Sequence, residues 1–203
     1  MMLSAAATGF ASSLSLILAI GAQNTFVLRQ GLLRSHVLPL VLFCGASDAL
    51  LIALGVAGFG WAIATVPWLP AAMAWAGAAF LVCYAALRLR AAVQGSYALA
   101  FGDGGGSLGS TLATAGAITW LNPHVYLDTL ALLGAISTGF EGGERVAFAT
   151  GAMSASFAFF AVLGYGARLL APVMTSVRAW QVLDAVIALI MILIAVGLVR
   201  STL

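Results

Sequence analysis

From Val37 to Val66 the chain reads VLPLVLFCGASDALLIALGVAGFGWAIATV, thirty residues with one charged group, Asp48. A helix that crosses the hydrocarbon core of a bilayer needs about 20 mostly apolar residues, so this stretch predicts a membrane-spanning helix. The rest of the chain has the same character. Of its 203 residues 63% are hydrophobic and 7% charged, with a mean hydropathy of +1.13. Six acids and eight arginines, with no lysine, cannot coat a soluble domain, which usually carries about 25% charged residues. Soluble enzymes, disordered chains and nucleic-acid binders, which need a clustered basic face, are excluded. An all-α membrane protein remains.

Working outward, five further runs qualify as spans: Leu3–Leu28, Trp68–Leu87, Thr111–Ile136, Val146–Ala171 and Trp180–Val199. Strands are not expected, since a barrel shows alternating segments of about ten residues and long apolar runs satisfy their backbone as helices. The N-terminal run lacks a charged leader and exceeds the apolar stretch of a signal peptide, so it reads as a retained first span. Cys44 and Cys83 lie in apolar surroundings and read as small hydrophobes. With six spans, Arg29, Arg34, Arg88, Arg90, Arg168 and Arg178 share one side, against Arg145 and Arg200 on the other. The positive-inside rule then predicts two non-cytoplasmic termini, and omitting Arg29 as intramembrane leaves that result intact. Trp61, Trp68, Trp75, Trp120 and Trp180 mostly fall near span ends, as an interfacial aromatic belt requires.

The longest loop, 91–109, contains Gly102-Asp103-Gly104-Gly105-Gly106 and separates residues 1–90 from 110–203, with three spans each. Three is odd, so a structural repeat must be inverted. Both halves carry amides in their first span, Gln23-Asn24 and Asn122. Gly45-Ala46-Ser47-Asp48 in span two has a faint echo in Gly151-Ala152-Met153-Ser154 of span five. Six helices as two inverted three-helix repeats, with interrupted first helices, form a transporter architecture that binds its substrate near mid-membrane.

Polar groups in a membrane are costly and need partners or a wet cavity. Asp48 reads either as a structural ion pair, with Arg29 or a later arginine, or as a site for a proton or a cationic group. Gln23 and Asn24, beside Gly21, read as interhelical hydrogen bonding or as a local unwinding that faces a ligand. Pro123 disrupts the helix, and Asn122, His124, Tyr126 and Asp128 cluster around it in two stripes at four-residue spacing. That density resembles a cavity lining, although His124 also suits a hydrogen-bonded core position and Asp128 an arginine partner. Asp184, a few residues from Arg178, reads as an interfacial ion pair. No nucleophile elbow, Walker motif, HExxH or His/Cys metal cluster occurs, so neither an enzyme, a cofactor nor a metal site is expected, and an ATP-driven pump only if a separate subunit supplies the ATPase.

Two runs, Gly21-Ala22-Gln23-Asn24-Thr25-Phe26-Val27-Leu28-Arg29-Gln30-Gly31 and Thr119-Trp120-Leu121-Asn122-Pro123-His124-Val125-Tyr126-Leu127-Asp128-Thr129, resemble the signatures of the LysE family of amino-acid exporters. The second is close to the arginine-exporter branch. Ser47-Asp48 and Ser154-Ala155-Ser156-Phe157 also match the family pattern, and the resemblance covers almost the whole chain except the Gly-rich loop. Ala22 departs from it, where the family often has proline. The resemblance implies a bacterial inner-membrane exporter of arginine, and of lysine as a second basic substrate, driven by an ion gradient. Family topology is described in more than one way, five spans included, so the six expected here rest on hydropathy.

The chemistry suits such a substrate. Its carboxylate needs donors, from a half-helix N-terminus at Asn122-Pro123 and from Gln23 and Asn24. Its basic side chain needs a carboxylate, Asp48 or Asp128. Proton exchange at Asp48, held charged by Arg29 when empty, would couple export to proton entry. The rival classes are a small-ion or metal exporter and a non-transporting membrane scaffold. A homodimer is compatible with a bundle of this size, without a sequence signal for an interface.

Overall fold

The computed structural model describes residues 1–18, 21–58, 68–94, 106–200 and 202. Trp61, Pro67, the end of the second run beyond residue 58 and the glycine-rich segment 102–105 with Asp103 lie outside them. Every regular element among the described residues is helical. In chain order these are α1 (Met2–Ile17), α2 (Ala22–Leu33), α3 (Val37–Val56), α4 (Leu69–Gln94), α5 (Leu108–Trp120), α6 (Pro123–Val125), α7 (Leu133–Ser137), α8 (Gly142–Gly166) and α9 (Val177–Arg200). A π-helical stretch, Tyr126–Leu132, joins α6 to α7, and a 3₁₀ turn, Ala167–Leu170, extends α8.

Four helical stretches are long and apolar enough to cross a bilayer: Val37–Val56, Ala71–Val93, Gly142–Leu170 and Val177–Arg200. The first expected span, Leu3–Leu28, divides into α1 and α2, which meet at 85° and together make a fifth candidate crossing. The fourth expected span, Thr111–Ile136, divides at Asn122. Neither of its halves reaches the roughly 20 residues of a straight crossing. The sequence therefore overstates the number of continuous spans at the two places where amides interrupt the apolar run.

The packing partners are mostly drawn from opposite halves of the chain. α1 lies along α8, α3 packs on α8 and on the π-helical stretch, and α4 pairs with α9. α4 and α9 run antiparallel: Gln181 Nε2 on α9 donates to the Ala92 carbonyl at 2.9 Å, and at the other end Leu198 borders Gly77. The main core joins Phe26 and Val27 of α2, Leu40 and Cys44 of α3, Tyr84 of α4, Phe160 of α8 and Met191 of α9. A second apolar cluster, around Ala5, Ile52, Leu133 and Phe148, closes the end of the bundle where α1 begins. Trp180 is buried, and its Nε1 donates to the Met174 carbonyl at 2.9 Å. It packs the base of α9 instead of joining an exposed belt, while Trp68 and Trp75 are exposed.

Small residues let α1 and α8 touch through their backbones. A Cβ on Gly9 would overlap the Phe148 carbonyl, and one on Gly151 would overlap the Ala6 carbonyl. Apolar attraction between helices is weak in lipid, so such close van der Waals contact supplies much of the association. Gly151→Val must force the helices apart at a cost of about 1–3 kcal/mol or more. We expect it to lower the monodisperse fraction in size-exclusion chromatography sharply. Gly166→Ala, where an added Cβ meets nothing within 4 Å, should leave that fraction unchanged.

Candidate functional site

Both helix breaks open onto one cavity of about 320 Å³, within the range of about 300–1,000 Å³ usual for small-molecule sites. It gathers Gln23 and Asn24 from the first break, Asp48 from α3, Asn122 and His124 from the second break and Asp128 from the π-helical stretch. Six of the residues singled out in the sequence thus meet in space, although they are scattered over more than a hundred positions.

Each break is built from local chemistry. At the first, α1 ends at Ile17 with Leu18 as its cap, and α2 starts after Gly21, whose backbone is extended (φ −115°, ψ 178°). Asn24 Nδ2 donates to the Ile17 carbonyl at 2.7 Å, so this amide reaches back across the gap to a carbonyl that the broken helix leaves orphaned. Thr25 Oγ1 donates to the Gly21 carbonyl at 2.8 Å. At the second break Pro123 is the first residue of α6, where a missing N–H costs nothing. Pro123 therefore starts a helix and does not kink one. Asn122 caps it, its Oδ1 accepting from the His124 N–H at 3.1 Å. Tyr126 Oη donates to the Trp120 carbonyl at 3.0 Å and packs edge-on against the Trp120 ring. Pro123 and Tyr126 shape the break from outside the cavity wall.

This changes the donor expected for an anionic group. The His124 N–H is taken by Asn122, so the Asn122-Pro123 turn is largely satisfied within itself. The other candidate donors belong to α2. Gly21 gives it no side-chain cap, and its first N–H groups carry the positive end of the helix dipole. Beside them Gln23 Nε2 is buried without a hydrogen-bond partner. An unmade bond of this kind costs free energy unless something fills it. Asn24, which shares the motif, is already engaged at Ile17.

Asp48 sits near the middle of α3 and is 6% exposed. The Ser156 hydroxyl on α8 lies beside its carboxylate. Ser156 also lines the cavity, together with Ser13 of α1 and Thr129. Ser13 is not singled out by the sequence, where an isolated hydroxyl in an apolar run looks like any helix-packing residue, whereas Thr129 closes the quoted run that begins at Thr119. Ser156 is part of the quoted Ser154-Ala155-Ser156-Phe157 run. Asp128 lies one turn beyond His124, close enough for the two to interact electrostatically. His124 is exposed to the cavity and is not a core group.

Arg29 does not reach Asp48. Its Nε donates to Asp184 Oδ1 at 2.9 Å. Asp184 is fully buried, so it is no interfacial partner of Arg178. Tyr84 on α4 is near both charges, and Arg88 lies over its ring, 5.1 Å from the centroid. This polar cluster ties α2 to α4 and α9.

A helical bundle whose interrupted helices converge on an acidic cavity has the form of a secondary transporter. The family model for LysE type translocators matches residues 14–202. The chain belongs to the LysE family. It is 43% identical over 183 residues to a proposed amino-acid transporter of Mycobacterium tuberculosis, covering 90% of each chain. It is 41% identical to the proposed amino-acid transporter YggA of Aeromonas salmonicida, over 96% of this chain and 95% of that one. To the arginine exporter protein ArgO of Salmonella paratyphi C it is 38% identical, over 95% and 92%. No solved structure matches the chain.

Proposed function

We propose that this protein exports arginine, with lysine as a second basic substrate, across the bacterial inner membrane by alternating access coupled to a proton gradient. One observation carries the reading: a single cavity holds Asp48 and Asp128 together with the uncapped N-terminus of α2 and the unpartnered Gln23 amide. A zwitterion with a cationic side chain needs those two kinds of group at once. The α2 N–H groups and Gln23 receive its carboxylate, and a carboxylate of the protein receives its guanidinium or ammonium group. Asp48, with the Ser156 hydroxyl beside it, is the group that exchanges a proton for the cation. The name of the Salmonella relative supports arginine as the substrate.

The membrane arrangement we propose has six passes in two inverted repeats, 1–90 and 110–203, joined by 91–109. Support comes from the parallel construction of the halves. Each opens on a broken helix, the second helices α3 and α8 pack together, and so do the third helices α4 and α9. Arg34, Arg88, Arg90, Arg168 and Arg178 then face the cytoplasm, with Arg29 buried against Asp184, and both termini face away from it.

The test uses vesicles that contain the purified protein and are preloaded with labelled arginine. Under an imposed pH gradient, efflux should exceed that of protein-free vesicles by about tenfold or more and collapse when a protonophore is added. Efflux of no amino acid would refute the transport assignment, and export that ignores the protonophore would remove the proton.

A further inference from the structure

A second cavity, of about 340 Å³, lies where α2 and α8 end, away from both breaks. Gly31 and Gly164 set its geometry. A Cβ on Gly31 would overlap the Gly164 carbonyl, so the two helix ends meet through their backbones. Arg34 follows α2 directly, and Arg168 lies in the turn after α8. Both arginines therefore line one cleft, with Val37 and Tyr165. Arg34 is held in the left-handed region (φ 53°), where its N–H donates to the Gly31 carbonyl at 3.1 Å.

Both arginines are exposed, and neither has an acidic partner among the described residues. Two guanidinium groups in one small cleft repel each other until an anion lies between them. Their planar donor forks match the oxygens of a phosphate, and Tyr165 adds a hydroxyl. The surroundings are apolar: Leu38 and Leu169, chain neighbours of two lining residues, are 55% and 79% exposed. A free phosphate has no use for such flanks, whereas a phosphate carrying acyl chains does.

We infer that the Arg34–Arg168 cleft binds the phosphate of an anionic phospholipid headgroup, with the acyl chains against the neighbouring leucines. Basic pockets between membrane helices serve this purpose elsewhere. The orientation proposed above decides only that the lipid comes from the cytoplasmic leaflet.

Native mass spectrometry of the full chain, released from mixed micelles with equal phosphatidylglycerol and phosphatidylcholine, provides the test. The protein should retain phosphatidylglycerol over phosphatidylcholine by about tenfold or more. Arg34→Gln with Arg168→Gln should erase that preference, and Arg200→Gln, at the other end of the bundle, should keep it. Equal retention of the two lipids, or a preference that survives the double replacement, overturns the inference. So does inorganic phosphate that displaces phosphatidylglycerol and raises the unfolding midpoint as much as the lipid does, since the ligand is then a free anion. None of these readouts involves transport, so a negative result leaves arginine export standing.

Discussion

Replacing Asp48 by asparagine should reduce arginine efflux from preloaded vesicles by about tenfold or more, since a hydrogen bond to a charged group contributes about 1.5–3 kcal/mol. The folded protein should persist. Asparagine has nearly the shape of aspartate and still fits beside the Ser156 hydroxyl, while a neutral amide removes a buried charge instead of stranding one. What disappears is the group that can hold either a proton or a cation. Counterflow separates binding from coupling: labelled arginine exchanging against unlabelled arginine needs no net proton movement. Weak efflux with intact counterflow would assign Asp48 to proton exchange alone, and loss of both would assign it to the substrate as well. Wild-type efflux at equal protein levels removes Asp48 from the mechanism.

The Arg29–Asp184 pair should give the largest effect on stability. Removing one member of a buried ion pair takes the counter-charge from the other, which costs about 3–5 kcal/mol. Arg29→Met or Asp184→Leu alone should therefore lower the unfolding midpoint in detergent strongly. Together they should recover much of the loss, because a well-packed apolar pair replaces a buried ion pair at little net cost. Additive losses in this double-mutant cycle would show that the two side chains do not depend on each other. The recovered double variant also separates stability from transport. If it is stable but does not export, the charges serve the conformational cycle.

Much of this molecule was legible in the sequence, and the boundary between what was and was not has a physical basis. Apolar runs reveal helices because lipid leaves the backbone no other partner, which is why α3, α4, α8 and α9 coincide with expected runs. The break at Asn122-Pro123 was visible because proline and a capping amide act on adjacent residues. The angle between α1 and α2 was not, since Gly21 permits a bend without specifying one. The π-helical pitch at Tyr126–Leu132 was invisible for the same reason: no single residue demands it, although such segments often accompany functional sites. The roles of Gln23 and Asn24 could not be separated, because adjacent amides differ only in what lies opposite them. The partner of Arg29 was misread because sequence distance favours near candidates. Asp48 lies close to Arg29 in the chain and Arg178 close to Asp184, whereas the Arg29–Asp184 bond spans 155 positions.

That separation bears on how the protein is made. Helices enter the membrane in the order of synthesis, and Arg29 is in the second of them while Asp184 is in the last. α1 and α3 likewise wait for α8, and α4 waits for α9. Until the last helix is made, Arg29 lacks the carboxylate that it pairs with in the finished bundle. During that interval Arg29 must stay near headgroups or water, where a cation is tolerated. It can move inward only when Asp184 arrives. The ion pair therefore closes the bundle between its second helix and its last.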